Sequence, residues 1–178
     1  IDTNVFIPAE DYRELPQELG ELLKILVKNR HLICIHPASL EDLERDRQVE
    51  RKKIIMSKVK KYPLLESPPE PSEEFLRQFG PIKDENDRID ACLLYAIYKF
   101  CADFLITEDR EIQQKAKRFE IDDKVLDVQS ALRLFRDIHE KKMPRSVPFL
   151  VRKKPYQLDL NDPFFSPIKK DYPDFEKW

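Results

Sequence analysis

Apolar positions along this chain fall into short blocks whose spacing switches repeatedly between two signatures. "IDTNVFI", Ile1 to Ile7, is an apolar run broken by Asp2 and Asn4, and it predicts a β-strand. From Pro16, the positions Leu19, Leu22, Leu23, Leu26 and Val27 repeat at helical spacing and predict an amphipathic helix to about Asn29. "HLICIH" predicts a short strand, Leu32 to Ile35. Pro37 in a first helical turn, followed by Ser39 and a charged run, predicts a long helix reaching about Tyr62. The proline-rich "PLLESPPEPS" is a loop, and a short helix follows around Glu73 to Phe79. Asp84 to Asp87 can cap a helix running to Cys101. "DFLIT" and "KVLDV" predict strands, and "DREIQQKAKRF" and "SALRLFRDIHE" predict helices.

Strands alternating with helices, the strands being short continuous apolar runs, argue for an α/β fold with a parallel sheet covered on both faces. Such a plan places ligand sites at the carboxyl ends of strands. After about Lys142 the texture changes: Pro144, Pro148, Pro155, Pro163, Pro167 and Pro173 crowd the last stretch and helical periodicity fades. Residues 1–142 therefore read as one domain, and 143–178 as a linker and extension.

Charge changes the picture more than size does. Charged residues make up 37% of the 178, yet Lys and Arg (32) nearly cancel Asp and Glu (34), leaving a net charge of -2. There is no global basic field, so nucleic-acid binding must come from local patches. One such patch is the segment "RDRQVERKKIIMSKVKK", which carries Arg45, Arg51, Lys52 and Lys53; it reads equally as a solvated helix face with Ile54, Ile55 and Val59 inward. Lys141 to Lys154 is a second basic run. Cys34, Cys92 and Cys101 lack CxxC spacing and lie in apolar runs, as expected of buried free thiols in a reducing cytoplasm. No apolar stretch approaches the ~18 residues of a membrane span. With only Gly20 and Gly80, the chain has neither a P-loop nor a dinucleotide fingerprint. His31, His36 and His139 show no metal-ligand spacing, so the candidate chemistry is carboxylate chemistry.

The carboxylates fall at element ends. Asp2 lies in the first predicted strand, Asp42 just after the second, and Asp87 and Asp90 near the start of the middle helix on one face. Asp109 follows "FLIT" directly, where it also suits a helix cap. Asp90 is in line with Leu94, Ile97 and Cys101. Two carboxylates about 5 Å apart repel by roughly 3 kcal/mol at an effective dielectric of 20. Four together need protons or cations to persist, and hard oxygen ligands select Mg²⁺ or Mn²⁺.

"IDTNVFI", "IHPASLEDL", "NDRIDACLLYAI" and "FLITED", in that order, resemble the PIN-domain family of ribonucleases over roughly residues 1 to 142. The resemblance implies a PIN-like three-layer sandwich with a central parallel sheet covered by helices. It carries metal-binding and catalytic roles onto Asp2, Asp42, Asp90 and Asp109, with Asp87 competing with Asp90. Asn4 and Thr107 match supporting polar positions, and Glu41 offers a longer reach one residue before Asp42. Implied with these is Mg²⁺- or Mn²⁺-dependent endonucleolytic hydrolysis of single-stranded RNA, one ion activating a water and a second stabilising the leaving oxygen. Many small relatives of this type are toxins, so the expected partners are RNA, an antitoxin protein and a second copy of the chain. Three rivals stand beside this: a PIN-like module that binds RNA or protein without cutting, a phosphoacceptor receiver domain, and a DNA flap-type nuclease. The tail "LDLNDPFFSPIKKDYPDFEKW" is similar to the opening of acetyltransferase (GNAT-like) domains, or is an extended arm packing Phe164, Phe165, Tyr172 and Phe175 on the domain or on a partner.

Overall fold

The computed structural model of the chain describes residues 1–11, 14–45, 48–140, 162 and 165–172. Contacts divide the chain into Ile1–Lys141 and Lys142–Trp178. In the first unit the order is α1 (Thr3–Glu10), α2 (Gln17–Lys28), α3 (Pro37–Glu44), α4 (Val49–Val59), α5 (Glu73–Phe79), α6 (Glu85–Tyr98), β1 (Leu105–Ile106), α7 (Arg110–Lys117), a 3-10 turn (Asp122–Lys124), β2 (Val125–Leu126) and α8 (Val128–Glu140). The described part of the second unit holds α9 (Ser166–Asp171). The Lys141 to Lys154 run, Phe164 and Phe175 lie outside the described residues, as does most of the tail resembling an acetyltransferase opening.

This is a mostly helical structure, and the expected PIN-like sheet sandwich is not what forms. Among the described residues the strands are two, each of two residues, paired in parallel with Leu105 opposite Val125 and Ile106 opposite Leu126. "HLICIH" contributes only an isolated parallel bridge, Ile35 to Leu64.

The first expected strand is the clearest departure. Only Ile1 and Asp2 stay extended: the Ile1 backbone nitrogen donates to the Cys34 carbonyl (2.8 Å), and the Asp2 backbone N–H to that of Ile106 (3.1 Å). Asp2 then caps α1, its carboxylate accepting from the Thr3 backbone N–H at 2.6 Å. An acid at an N-cap closes a helix locally. That local bond outweighs the β-preference of Val5, Phe6 and Ile7, which would need partners from distant chain. The expected long helix from Pro37 to Tyr62 also divides, into α3 and α4. Between Leu43 and Ile54 only Val49 is apolar, and it is exposed, so nothing packs a continuous helix there.

Helices therefore make the core. Around α6 the buried set includes Leu94, Ile97, Phe75, Phe79 and Ile112. A second cluster joins α2 to α8 through Leu22, Leu26, Ala131 and Phe135, with Val5 and Ile106 beside them. A third gathers Phe6, Ile35, Leu43, Ile55 and Val59. Ile54, expected to face inward, is exposed instead. Each fully buried large apolar side chain contributes roughly 1.5–3 kcal/mol. All three cysteines are free thiols, but only Cys92 is buried; Cys34 and Cys101 are half-buried. Among the described residues no helix is long and apolar enough to cross a membrane.

Candidate functional site

Asp2 is 5% exposed, and its charge is met by hydroxyl and amide donors. Its Oδ2 accepts from the Thr107 hydroxyl (2.7 Å) and from Asn4 Nδ2 (2.7 Å), while Oδ1 takes the Thr3 backbone N–H. Thr107 is fully buried just past β1, and its hydroxyl oxygen also accepts from Asn4 Nδ2 (3.0 Å) and from the Asp109 backbone N–H (3.1 Å). Asn4 completes the ring by accepting the Glu108 backbone N–H at 3.1 Å. So Asp2, Asn4, Thr107 and Asp109, separated by more than a hundred residues, are fastened at one point. Burial raises the Asp2 carboxyl above its ordinary range, and the Thr107 and Thr3 hydrogen bonds pull it back.

Asp109 caps α7, its Oδ1 accepting from the Glu111 (2.6 Å) and Ile112 (3.3 Å) backbone N–H groups. The capping and site-building roles weighed for this acid therefore coincide in space. Glu108, beside it, accepts from the Val128 backbone N–H at 2.9 Å at the start of α8.

Asp84 starts α6 by accepting from the Asn86 (2.9 Å) and Asp87 (3.0 Å) backbone N–H groups, which leaves Asp87 and Asp90 free to face other partners. Both turn toward Lys115 of α7, at 2.8 Å from Asp87 and 3.7 Å from Asp90. Lys115 holds the Asp87 carboxyl below its usual range. Asp90 goes the other way, pushed up to about 7: burial is the largest cause, Lys115 opposes it, and the negative charges of Asp109, Asp2 and Asp87 add to it. Asp90 is thus close enough to feel the charges of the other three acids.

Asp42 reaches the same group from α3, accepting the Thr3 hydroxyl at 2.9 Å, while Thr3 also leans on Asp2 Oδ1 at 3.4 Å. Arg45 partners Asp42 (3.1 Å) and Asn86 (3.2 Å). Glu41 points elsewhere, paired with Arg88, which also binds Glu85. Of the remaining basic candidates, Lys52 donates to the Glu44 carbonyl at 2.6 Å and Lys53 pairs with Glu50 at 3.3 Å. Arg51, on α4 beside them, is half-buried. Arg51, Lys52 and Lys53 lie on α4, and Arg45, just past α3, contacts Asp42 of the cluster.

As the side chains stand, no three His, Cys, Asp or Glu residues among those described are grouped closely enough to hold a metal ion. The donors nonetheless suit one chemically. They are carboxylate oxygens, the hard donors that Mg²⁺ and Mn²⁺ prefer.

Two contributors went unread in the sequence. Thr3 sits inside "IDTNVFI" as the hydroxyl joining Asp2 to Asp42. Lys115 had a readable signal: Ile112, Ala116 and Phe119 form the buried stripe of α7 and the turn after it, and Lys115 lies three residues from Ile112 on that same side.

No protein-family model, no curated protein and no solved structure matches the chain, so the acid constellation has to be interpreted from its own chemistry.

Proposed function

We propose that this chain is a Mg²⁺- or Mn²⁺-dependent endoribonuclease acting on single-stranded RNA. One observation carries it: hydrogen bonds through the Thr107 hydroxyl fasten Asp2 and the Asp109 backbone at one point, and Asp90, from a third stretch of sequence, is half-buried where it feels both negative charges. A carboxyl raised by burial and by named neighbouring charges is a recurrent mark of functional sites. The four segments resembling the PIN-domain family add support, independently of the sheet sandwich expected with them. The toxin role, with an antitoxin as partner, rests on that resemblance alone.

In this reading Asp2, Asp90 and Asp109 hold the cation, with Asp42 and Asp87 at the margin. A bound divalent ion supplies an acidified water and charge neutralisation at phosphorus. The chain's own contribution is orientation. Thr107 and Asn4 fix the Asp2 carboxylate by hydrogen bonds of 2.7 Å each, and Asp109 is anchored through its backbone to the same hydroxyl. Arg45, whose guanidinium lies beside Asp42 and Asn86, is placed to meet an RNA phosphate approaching the acids.

Incubating the chain with mixed single- and double-stranded RNA, with Mn²⁺ and with chelator, tests this. Cleavage of the single strands that chelator abolishes and Asp90→Asn removes, with folding retained, is expected. Undiminished cleavage by Asp90→Asn would refute the assignment.

A second reading, a module that binds RNA or protein without cutting, is favoured by the ungrouped acids and by Lys115 and Arg45 already engaging three of them. Mn²⁺ binding with no cleavage of any RNA would select it.

A further inference from the structure

Ile1 and Asp2 lie extended between two backbone edges. The Ile1 nitrogen donates to the Cys34 carbonyl on one side, and the Asp2 N–H to the Ile106 carbonyl on the other. Donors that alternate between sides in successive residues are the pattern of a strand held between two parallel neighbours. Each neighbour is engaged on its far side, Ile35 by its bridge to Leu64 and β1 by β2. The near sides run on past Ile1, as residues 32–34 and residues 102–104, and both stretches line one groove. Among the described residues, the Cys34 and Phe104 N–H groups and the Leu32 and Phe104 carbonyls have no hydrogen-bond partner.

The groove has a volume of about 340 Å³, and Leu26, Ile33, Ile106 and Phe135 are among the side chains that line it. Leu32 and Leu64, which also line it, are 78% and 42% exposed. Leu93 and Ile97 of α6 line a smaller cavity that shares Ile1, Cys34 and Phe104 with the groove, so an occupant meets apolar surface on two sides. Main-chain donors and acceptors spaced along two edges, with apolar walls between them, are what an added strand uses. The Ile1 nitrogen lies at one end. Burial lowers its amine below the ordinary range, a cost that an uncharged peptide N–H in the same place does not carry.

We propose that this groove seats one extended, apolar β-strand of the same polypeptide, about three residues long, parallel to both edges and joined through its carboxyl end to the Ile1 nitrogen. The alternation begun by Asp2 and Ile1 sets its register. The residue next to Ile1 donates to the Phe104 carbonyl, and the one before it to the Leu32 carbonyl. Their own carbonyls accept the Ile106 and Cys34 N–H groups. A strand covered on both faces is apolar throughout rather than alternating. The helical core is unchanged by it, and the inference is independent of the metal-dependent function proposed above.

Thermal melting and amide hydrogen exchange test this on the whole chain carrying a short extension ahead of Ile1. A Val-Ile-Val extension should raise the melting temperature by about 4 °C or more over the unextended chain and protect the Cys34 and Phe104 amides. A Gly-Ser-Gly extension should do neither. Should the apolar extension self-associate, Val-Thr-Val, which keeps the β-preference, should give the same gain in a monomer. Equal melts and equal exchange for the apolar and Gly-Ser-Gly extensions overturn the proposal. Protection of the same amides in the unextended chain on concentration-dependent dimerisation also overturns it, by placing a second copy in the groove. So does protection by free acetylated Val-Ile-Val peptide when the joined extension gives none, which would place a partner's strand there.

Discussion

Thr107 shows how much one small side chain can organise. Its hydroxyl has a single proton, given to Asp2, and its oxygen receives the Asn4 amide and the Asp109 backbone N–H. Replacing it by Val keeps shape, removes one of the two hydrogen bonds to buried Asp2 Oδ2 and takes the acceptor from the Asp109 backbone N–H, so Thr107→Val should lose about 1–3 kcal/mol in urea unfolding. Thr107→Ser should retain most of that stability; equal losses would show that the methyl, not the hydroxyl, matters. Two other residues set opposing pH dependences. Asp90 titrates near 7 when folded and near 3.8 when unfolded, so without metal its contribution to stability falls as pH rises from about 4 to 7. Burial pushes His36 down to about 4 from 6.5; its Nδ1 accepts from the Ala38 backbone N–H. Stability from His36 is present above pH 6.5 and is lost as pH falls toward 4. The two slopes oppose each other across the shared window. In chelator, Asp90→Asn should therefore be more stable than wild type at pH 8, by roughly 1–3 kcal/mol, the full shift being discounted for partial exposure. The same variant should also unmask a loss of stability on acidification between pH 6.5 and 4. A pH profile parallel to wild type would contradict both assignments.

At the scale of elements, the helices were legible where an apolar stripe or a capping acid announced them. The run from Leu19 to Val27 predicted α2, Glu73 to Phe79 coincides with α5, and Asp84 stands where a cap was expected for α6. Removing that cap, in Asp84→Ala, frees the Asn86 and Asp87 backbone N–H groups and should cost about 1 kcal/mol. Because α6 carries Asp87 and Asp90, Mn²⁺ affinity should drop together with the melting temperature. Affinity unchanged at lower stability would mean that the first turn of α6 does not position the acids. "IDTNVFI" misled for an identifiable reason. Its apolar residues have strand character, but Asp2 offers the following backbone a hydrogen bond within one residue, and α1 forms instead.

For the molecule as a whole, the site depends on packing at a distance. Leu22 of α2 and Ala131 and Phe135 of α8 are buried in the cluster that also contains Ile106, whose carbonyl accepts the Asp2 backbone N–H. Leu22→Ala should cost about 2–5 kcal/mol by leaving a cavity in that cluster. Far-ultraviolet dichroism, which reports the helices directly, follows the unfolding. Retention of wild-type stability would show that the α2–α8 interface is not part of the cooperative unit.

What the sequence alone determined is the helices that carry their own apolar stripe, α2, α5, α6, α7 and α8. Helical hydrogen bonds span four residues, so period and caps suffice to announce them. Only the tertiary structure decided that the sheet shrinks to two short strands, because a strand is completed by partners that no local pattern names. It likewise decided that Asp42 rather than Glu41 meets Thr3, and that Lys115 comes to rest among the acids. Those outcomes depend on how α3, α6 and α7 pack, and an electrostatic field is a property of distances in space rather than of spacing along a chain.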